Sequence, residues 1–326
     1  MRSMAMALIT AALLAPLSLA AAPALDLVAT IALPAVKGRI DHFSVDLKSH
    51  RVFVAALGND TVEIVDTERE KRETIPGLGE PQGVLYLPGP NRVFIANASS
   101  DRVDMVDATT LKVLKRVEGM PDADNIRYDE SSRKVVVGYG RGALRFIDPD
   151  TGESAGEIGL PGHPESFQLE HAGPRAFVNV PTAHAVVVVD REKRATLASW
   201  STGAALANFP MALDEASHRL FVGTRVPAAL VVFDTESGKI VAKLSIGADT
   251  DDVFFDAERK RIYVICGAGL VDVVRQEGPD RYVVAESVRT AARARTGLFV
   301  PEESRLYVAA PANAAMPARL LVFRVQ

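Results

Sequence analysis

Eight polar residues of this chain carry side chains that could hold an ion, bind a ligand or move a proton. They comprise carboxylates, one amide, one imidazole and one guanidinium: Asp41, His42, Asp124, Asn125, Glu165, Asp251, Asp252 and Arg295. Oxygen ligands of this kind suit Ca²⁺ or Mg²⁺, and His42 is a candidate general base. Because the residues are scattered along the sequence, any such chemistry depends on a fold that gathers them.

A repeat just over forty residues long predicts that fold. A basic residue opens a short apolar run seven times, roughly 41 to 44 residues apart, and the first example is Arg51-Val52-Phe53-Val54. The basic residues are Arg51, Arg92, Lys134, Arg175, Arg219, Arg261 and Arg305. A period of this length, built of short strands, is typical of propeller blades. The sequence therefore predicts an all-β fold, a seven-bladed β-propeller.

The first repeat shows the expected four strands of one blade. Apolar alternation and polar turns predict strands at residues 39–46, 52–57, 62–66 and 73–75. The seventh repeat stops after its third strand, at residues 319–324, and a spare strand at residues 25–31 precedes the first repeat. We expect this N-terminal strand to complete the last blade and so remove the open edge of the ring.

The repeats also resemble a known family. Phe94-Ile95-Ala96-Asn97, Phe177-Val178-Asn179 and Tyr263-Val264-Ile265 are each followed by a turn and a further strand, such as residues 103–107. This pattern resembles the YVTN-type propeller repeat family, which includes the periplasmic YncE-like proteins. The resemblance implies the fold and leaves the activity open, since the repeat serves many roles. The Trp-Asp and Gly-His signatures of WD40 repeats are absent.

The repeat separates structural carboxylates and histidines from candidate functional ones. Carboxylates that recur in the blades are expected to accept hydrogen bonds from turn amides: Asp46, Asp129, Glu170, Asp214 and Asp256 after the first strand, and Asp66, Asp107, Asp148, Asp190 and Asp234 after the third. Three histidines fall in first-to-second strand turns and are expected to be surface residues: His50, His171 and His218. His42, His163 and His184 are predicted on the other face.

The same alignment places one pair of residues from each blade at the mouth of the central channel. The pairs are Asp41-His42, Gln82-Gly83, Asp124-Asn125, Glu165-Ser166, Phe209-Pro210, Asp251-Asp252 and Arg295-Thr296. Converging carboxylates repel and need a cation, an arginine partner or a shifted pKa. Three interpretations stay open: a hydrated polar plug, a site for a small ligand or partner, and a metal-dependent catalytic site.

Composition limits the function classes further. The formal net charge is −4 and the pI is about 5.9, which argues against binding to a nucleic-acid backbone.

Residues 1–20 read as a secretory signal peptide, and residues 21–326 as a single propeller domain without a membrane span. We therefore expect a periplasmic or secreted protein, and a monomer. The single cysteine, Cys266, excludes an internal disulfide and is expected to be a buried, inert thiol.

These observations favour a non-catalytic propeller that binds a small molecule, a peptide or an envelope protein partner at its channel-mouth face. The alternative is a metal-dependent lactone hydrolase or lyase with its site at the same mouth, suggested by fold-level analogy. In that case a divalent cation, Ca²⁺ or Mg²⁺, would polarise a carbonyl or activate water. A third possibility is a structural subunit of an envelope assembly, in which the mouth has no role.

Overall fold

The structure is a computed structural model that describes residues 22–69 and 71–326. The predicted signal peptide lies outside the described residues. Seven four-stranded antiparallel sheets form the blades of a β-propeller, as predicted from the repeat. In blades 1 to 6 the chain runs in the same order, from an inner strand at the axis to an outer strand at the rim. In the described part of the chain, no helix combines the length and apolarity needed to cross a membrane.

The strands of the seven blades follow one another along the chain. Blade 1 contains β2 (Phe43–Asp46), β3 (Arg51–Ala56), β4 (Thr61–Asp66) and β5 (Arg72–Ile75); blade 2, β6 (Pro81–Leu87), β7 (Arg92–Asn97), β8 (Arg102–Asp107) and β9 (Val113–Glu118); blade 3, β10 (Ile126–Asp129), β11 (Lys134–Tyr139), β12 (Ala143–Ile147) and β13 (Ser154–Gly159); blade 4, β14 (Phe167–Leu169), β15 (Arg175–Val180), β16 (Ala185–Asp190) and β17 (Ala195–Ser201).

The remaining strands complete the ring. Blade 5 contains β18 (Leu206–Asp214), β19 (Arg219–Val226), β20 (Ala228–Asp234) and β21 (Ile240–Ser245); blade 6, β22 (Thr250–Asp256), β23 (Arg261–Cys266), β24 (Leu270–Gly278) and β25 (Arg281–Arg289); blade 7, β26 (Gly297–Val300), β27 (Arg305–Ala310), β28 (Ala318–Val325) and the N-terminal β1 (Leu25–Leu33). Three short 3₁₀ turns occupy Leu57–Asn59, Pro181–Ala183 and Pro301–Glu303.

The last blade is completed from the other end of the chain. Strand β1 pairs antiparallel with β28, in a register that joins Leu25 to Val325 and Leu33 to Ala318. Leu33 is buried in one apolar cluster with Leu320. The outer strand of blade 7 therefore ties the N-terminal segment to the C-terminal one by both hydrogen bonds and packing.

The seven basic residues that mark the repeat each begin the second strand of a blade, and their contacts explain why they recur. Arg51 pairs with Asp46 at 2.9 Å and Arg175 with Glu170 at 2.6 Å. The recurring carboxylates also accept turn amides, as predicted; Asp46 accepts from the Ser49 N–H at 3.2 Å. These contacts lie on the face that carries His50, His171 and His218, which we call the opposite face.

Apolar side chains of neighbouring blades form the core. Between blades 1 and 2, for example, Phe53 and Ile64 share one buried cluster with Val84 and Val93. Because each sheet is covered on both faces by its neighbours, the middle strands read as nearly continuous apolar runs. Cys266, in the second strand of blade 6, is fully buried within such a cluster, as expected. Burial raises the pKa of its thiol to about 12, which makes it a poor nucleophile.

The first strand of blade 1 is shorter than predicted, and the difference shapes the channel mouth. Strand β2 begins at Phe43 rather than at Arg39. The preceding backbone is still held, since the Asp41 N–H donates to Ala55 O at 2.7 Å. The His42 N–H donates instead to Gln82 O of blade 2, at 3.2 Å. Asp41 and His42 therefore form a bulge against Ala55, whose own N–H donates to His42 O at 3.0 Å, and the bulge bridges two blades at the channel mouth.

Candidate functional site

The strand registers place the predicted mouth residues at equivalent positions around the axis. In blade 1, Phe43 of the inner strand pairs with Val54, the fourth residue of the second strand, and His42 comes just before Phe43. Asn125 and Asp252 occupy the same position in blades 3 and 6. Gly83 occupies this position in blade 2, where a Cβ atom would lie 2.2 Å from Asp124 O. The blades approach closely here, so the side chains at this position in the other blades converge on a small space.

His42 is the centre of the cross-blade contacts. Its Nδ1 lies 3.4 Å from Asp252 Oδ1 of blade 6, and its Nε2 lies 3.6 Å from Asp41 Oδ1. The Asn125 amide of blade 3 lies 3.2 Å from Nε2. Burial disfavours the imidazolium, but the charges of Asp252 and Asp41 outweigh it and raise the pKa of His42 to about 10. At neutral pH the ring is therefore charged, and the predicted role of general base does not fit it.

Asp41 is 1% exposed and is enclosed by cations. Arg39 pairs with its Oδ2, and His42 faces its Oδ1. Burial raises the pKa of the Asp41 carboxyl although these two cations act against it. Arg39 also donates to Gln82 Oε1 at 3.3 Å, which connects blade 1 to blade 2. Asp41 therefore belongs to an internally compensated network, in which each carboxylate oxygen faces a cation of the protein.

Two arginines clamp Asp251 on the other side of the mouth. Arg295 Nε lies 2.8 Å from its Oδ2, and Arg225 contacts its Oδ1. Both guanidinium groups also reach Asp249, at 3.1 and 3.4 Å. The Arg225 guanidinium lies 4.1 Å from the centroid of the Phe209 ring. Burial raises the pKa of Asp251 to about 6 despite the two arginines, and the clamp connects blades 5, 6 and 7.

Only one group of mouth residues could close around a metal ion within the described residues. Ligand atoms of Asp124, His163 and Glu165 all lie within 4.8 Å of one another. His163 Nδ1 donates to Gly140 O at 2.7 Å, which leaves Nε2 facing Asp124 Oδ2 at 3.7 Å. Asp124 and Glu165 belong to the predicted set of oxygen ligands, and His163 does not. The other predicted oxygen ligands are outside this group: Asp41, Asn125, Asp251 and Asp252.

Glu165 differs from the other carboxylates at the mouth. Within residues 22–69 and 71–326 it forms no ion pair with a cation of the protein. Burial, reinforced by the nearby Asp124 charge, raises its pKa to about 8. His163 beside it has a pKa raised to about 9, because Asp124 outweighs the effect of burial. At neutral pH the Glu165 carboxyl is therefore mostly protonated, and a cation added beside it would favour its ionised form.

The structure brings all eight predicted residues to one end of the channel and adds residues that the sequence analysis did not use. Asp252 accepts the Gly297 N–H at 2.8 Å and so helps to hold blade 7. Arg39 was not predicted as a site residue, nor was Arg127, which lies on the inner strand of blade 3. His184 is exposed at the end of a 3₁₀ turn and takes no part in the network.

Cavities lie along the axis beneath this network. One, of about 270 Å³, extends from His42 and Asp252 down to Arg127 and Gln168. A second, of about 410 Å³, continues from Arg127 and Gln168 to His171 on the opposite face. The polar network therefore caps an axial channel, as the plug interpretation expects, while its outer side chains, Asp122 and Asp249, stay accessible at 60% and 39% exposure.

No protein-family model matches the chain, and no curated protein matches it. Among solved structures, a chain in a crystal structure of the mitotic checkpoint complex is similar with a TM-score of 0.78 and 13% identity, covering 100% of this chain and 99% of that one. A chain of Kuenenia stuttgartiensis hydrazine synthase has a TM-score of 0.75 and 15% identity, covering 89% and 98%. At these identities the likeness shows the fold alone, and the chain is a seven-bladed β-propeller.

Proposed function

We propose that this propeller is a non-catalytic binding protein, periplasmic or secreted, of the YVTN-repeat type. Its channel-mouth face would bind a small molecule, a peptide or a protein partner that presents a cationic group. The sequence resemblance and the N-terminal residues 1–20 support the family and the location. Propellers commonly serve as interaction scaffolds, and a rigid ring of blades is suited to holding a preorganised surface.

The observation that carries the proposal is the cross-blade network itself. His42 joins blades 1, 3 and 6 through contacts that occur once in the ring, whereas on the opposite face a basic residue at the start of the second strand contacts its own blade and the next one repeatedly, as Arg51 and Arg175 do. Contacts that every blade repeats serve the fold, and contacts that occur once can define a site. Glu165 gives this site a carboxyl group that a ligand ammonium or guanidinium could pair with.

A thermal-shift experiment with defined cationic probes tests the proposal. We expect at least one of lysine, arginine, glycylglycine and spermidine to raise the Tm of the protein. The variant Glu165→Gln should bind that probe about tenfold more weakly, since a hydrogen bond to a charged group is lost. His171→Ala, on the opposite face, is the matched control and should bind normally. An absence of any shift, or equal binding by both variants, would refute the mouth as the binding face.

One observation also favours a second candidate, a metal-dependent hydrolase or lyase. Asp124, His163 and Glu165 could hold a divalent ion, and the His163 Nδ1 bond to Gly140 O resembles the outer contact that fixes a metal-binding histidine. A mixed nitrogen and oxygen set suits Zn²⁺ or Mn²⁺ better than the predicted Ca²⁺ or Mg²⁺. Such an ion would supply Lewis-acid activation of a carbonyl or water.

Metal analysis separates this candidate from the binding protein. If the candidate is right, the purified protein retains one Zn²⁺ or Mn²⁺ per chain, and Glu165→Gln reduces that content at least about tenfold. The control Glu258→Gln changes an exposed carboxylate, 78% accessible, and should leave the content unchanged. Metal-free protein whose Tm does not respond to Zn²⁺, Mn²⁺, Ca²⁺ or Mg²⁺ would eliminate the metal-dependent enzyme.

A further inference from the structure

A guanidinium group without a carboxylate partner lies inside the axial channel. Among the described residues, the single hydrogen bond that Arg127 makes is from Nη1 to Ile126 O, at 3.0 Å, and no carboxylate oxygen lies within ion-pair distance. Its guanidinium stands 5.7 Å from the centroid of the Phe167 ring. Most of its five N–H donors are therefore free to contact a bound molecule.

The charges around Arg127 favour an anion. Burial lowers the pKa of Arg127, although the charges of Asp252 and Asp124 oppose the effect. Asp252 is itself engaged by His42 and by the Gly297 N–H. The ring of His42, which is positively charged at neutral pH, lines the same cavity. Because His42 and Asp252 are paired with each other, Arg127 is the cation lining this cavity that has no carboxylate partner among the described residues, and an anion beside it would offset the charge that burial disfavours.

The walls of the channel indicate what the anion is attached to. Arg127, Gln168, Phe254 and Phe299 line both the cavity of about 270 Å³ beneath the mouth and an adjoining cavity of about 260 Å³. Aromatic walls on one side and a guanidinium on the other suit a ligand with an apolar body and one charged end. The volume suits a body about the size of one aromatic ring.

We propose that the axial channel binds a small organic acid, a monocarboxylate with an apolar body. Its carboxylate pairs with the Arg127 guanidinium in a two-pronged hydrogen bond, and its apolar part packs against Phe254 and Phe299. The ligand enters from the opposite face, because the cavity of about 410 Å³ connects Arg127 to His171. This site lies below the mouth network and does not depend on the mouth binding anything.

Titration calorimetry with benzoate, its neutral analogue benzamide and inorganic phosphate tests the proposal. We expect benzoate to bind the full-length protein at least about tenfold more tightly than benzamide, as a charge-assisted pair requires. Arg127→Gln should weaken benzoate binding at least about tenfold. Glu165→Gln, at the mouth, and Arg281→Gln, an outer-strand control that is 76% exposed, should bind benzoate normally.

The Arg127→Gln variant should fold, so a loss of benzoate binding can be assigned to the missing guanidinium group. Replacing Arg127 removes a buried charge without breaking an ion pair, so its Tm should equal or exceed that of the parent. Arg127→Met provides a second variant with the same expectation. Equal benzoate binding by parent and Arg127→Gln, or no binding at millimolar concentration, would overturn the site. Tighter binding of phosphate than of benzoate would overturn the organic-acid class.

Discussion

Raising the pH from about 6.5 to about 10 should remove about 2–4 kcal/mol of stability through His42 alone. The folded-state pKa of His42 is raised from 6.5 to about 10. A group whose pKa rises on folding stabilises the protein fully below its unfolded-state pKa. That stabilisation is lost as the pH passes through the folded-state value. The loss of stability is smaller than the whole pKa shift implies, because water and the protein relax around buried ion pairs.

The measurement is urea unfolding of the parent and His42→Gln across this pH range. The difference in unfolding free energy isolates His42 from other groups that titrate in the same interval, such as Glu165 and His163. The difference should be largest at the low end of the range, near pH about 6.5, where Gln leaves Asp41 and Asp252 without their shared cation, and should shrink toward pH about 10. His171→Gln, 79% exposed, should show no such trend. A constant difference for His42→Gln would disprove its ion-paired state.

Replacing Arg191 by Met should destabilise the protein by about 3–5 kcal/mol, the usual effect of leaving a buried charge without its partner. Its side chain is 3% exposed and pairs with Asp129 of blade 3. It also donates to Glu170 O at 2.5 Å and to Gly173 O at 2.6 Å in blade 4. The variant leaves the buried Asp129 carboxylate without its cation, although Ser131 and Ser132 still donate to it, and removes the donor of two carbonyl groups at the junction of two blades.

Denaturant unfolding of matched variants checks this figure. Arg191→Lys keeps the charge but loses the planar fork, so it should fall between the parent and the Met variant. Arg69→Met removes a surface pair with Asp66 from a side chain that is 73% exposed, and should change stability by less than about 1 kcal/mol. If Arg191→Met were as stable as Arg69→Met, the junction would not depend on this side chain.

The repeat made most of the fold predictable. A basic residue every forty-odd positions marks the start of each second strand; Arg51 and Arg175 pair there with a carboxylate of the preceding turn, and Lys134 and Arg219 with the carboxylate that ends the third strand. The same alignment identified the mouth positions, because equivalent residues of the repeat lie at equivalent distances from the axis in every blade. The start of β2 at Phe43 was not predicted, because a backbone bulge at Asp41 and His42, which both bond to Ala55, leaves no mark in the alternation of apolar residues.

The site was less predictable than the fold, for two physical reasons. Pairing across the axis depends on side-chain reach, so the sequence could not show that His42 meets Asp252 or that Arg225 meets Asp251. The signal for Arg127 was present but unused. It occupies the inner-strand position held elsewhere by Ser44, Leu85, Gln168, Ala212, Phe254 and Leu298, and a charge on that lumen-facing position marks the channel interior.

Arg191 shows the same lesson on the opposite face. Strand β16 ends at Asp190, and the next residue is Arg191, whereas Thr67 and Thr235 follow the matching Asp66 and Asp234. A long cation at a position that other blades fill with a small side chain indicates a contact that only this blade makes. Residues that depart from the repeat therefore identify a stabilising contact on the opposite face, made by Arg191, and the candidate site at the channel mouth.

Binding at the channel-mouth face can be measured directly through the histidines. NMR spectra of protein labelled on its histidine rings, with signals assigned by single variants, would be recorded with and without the cationic probe that raises Tm most. We expect the probe to shift the signals of His42 and His163, which lie in the mouth network, and to leave those of His50 and His218 unchanged. Shifts confined to His50, His171 or His218 would contradict this expectation.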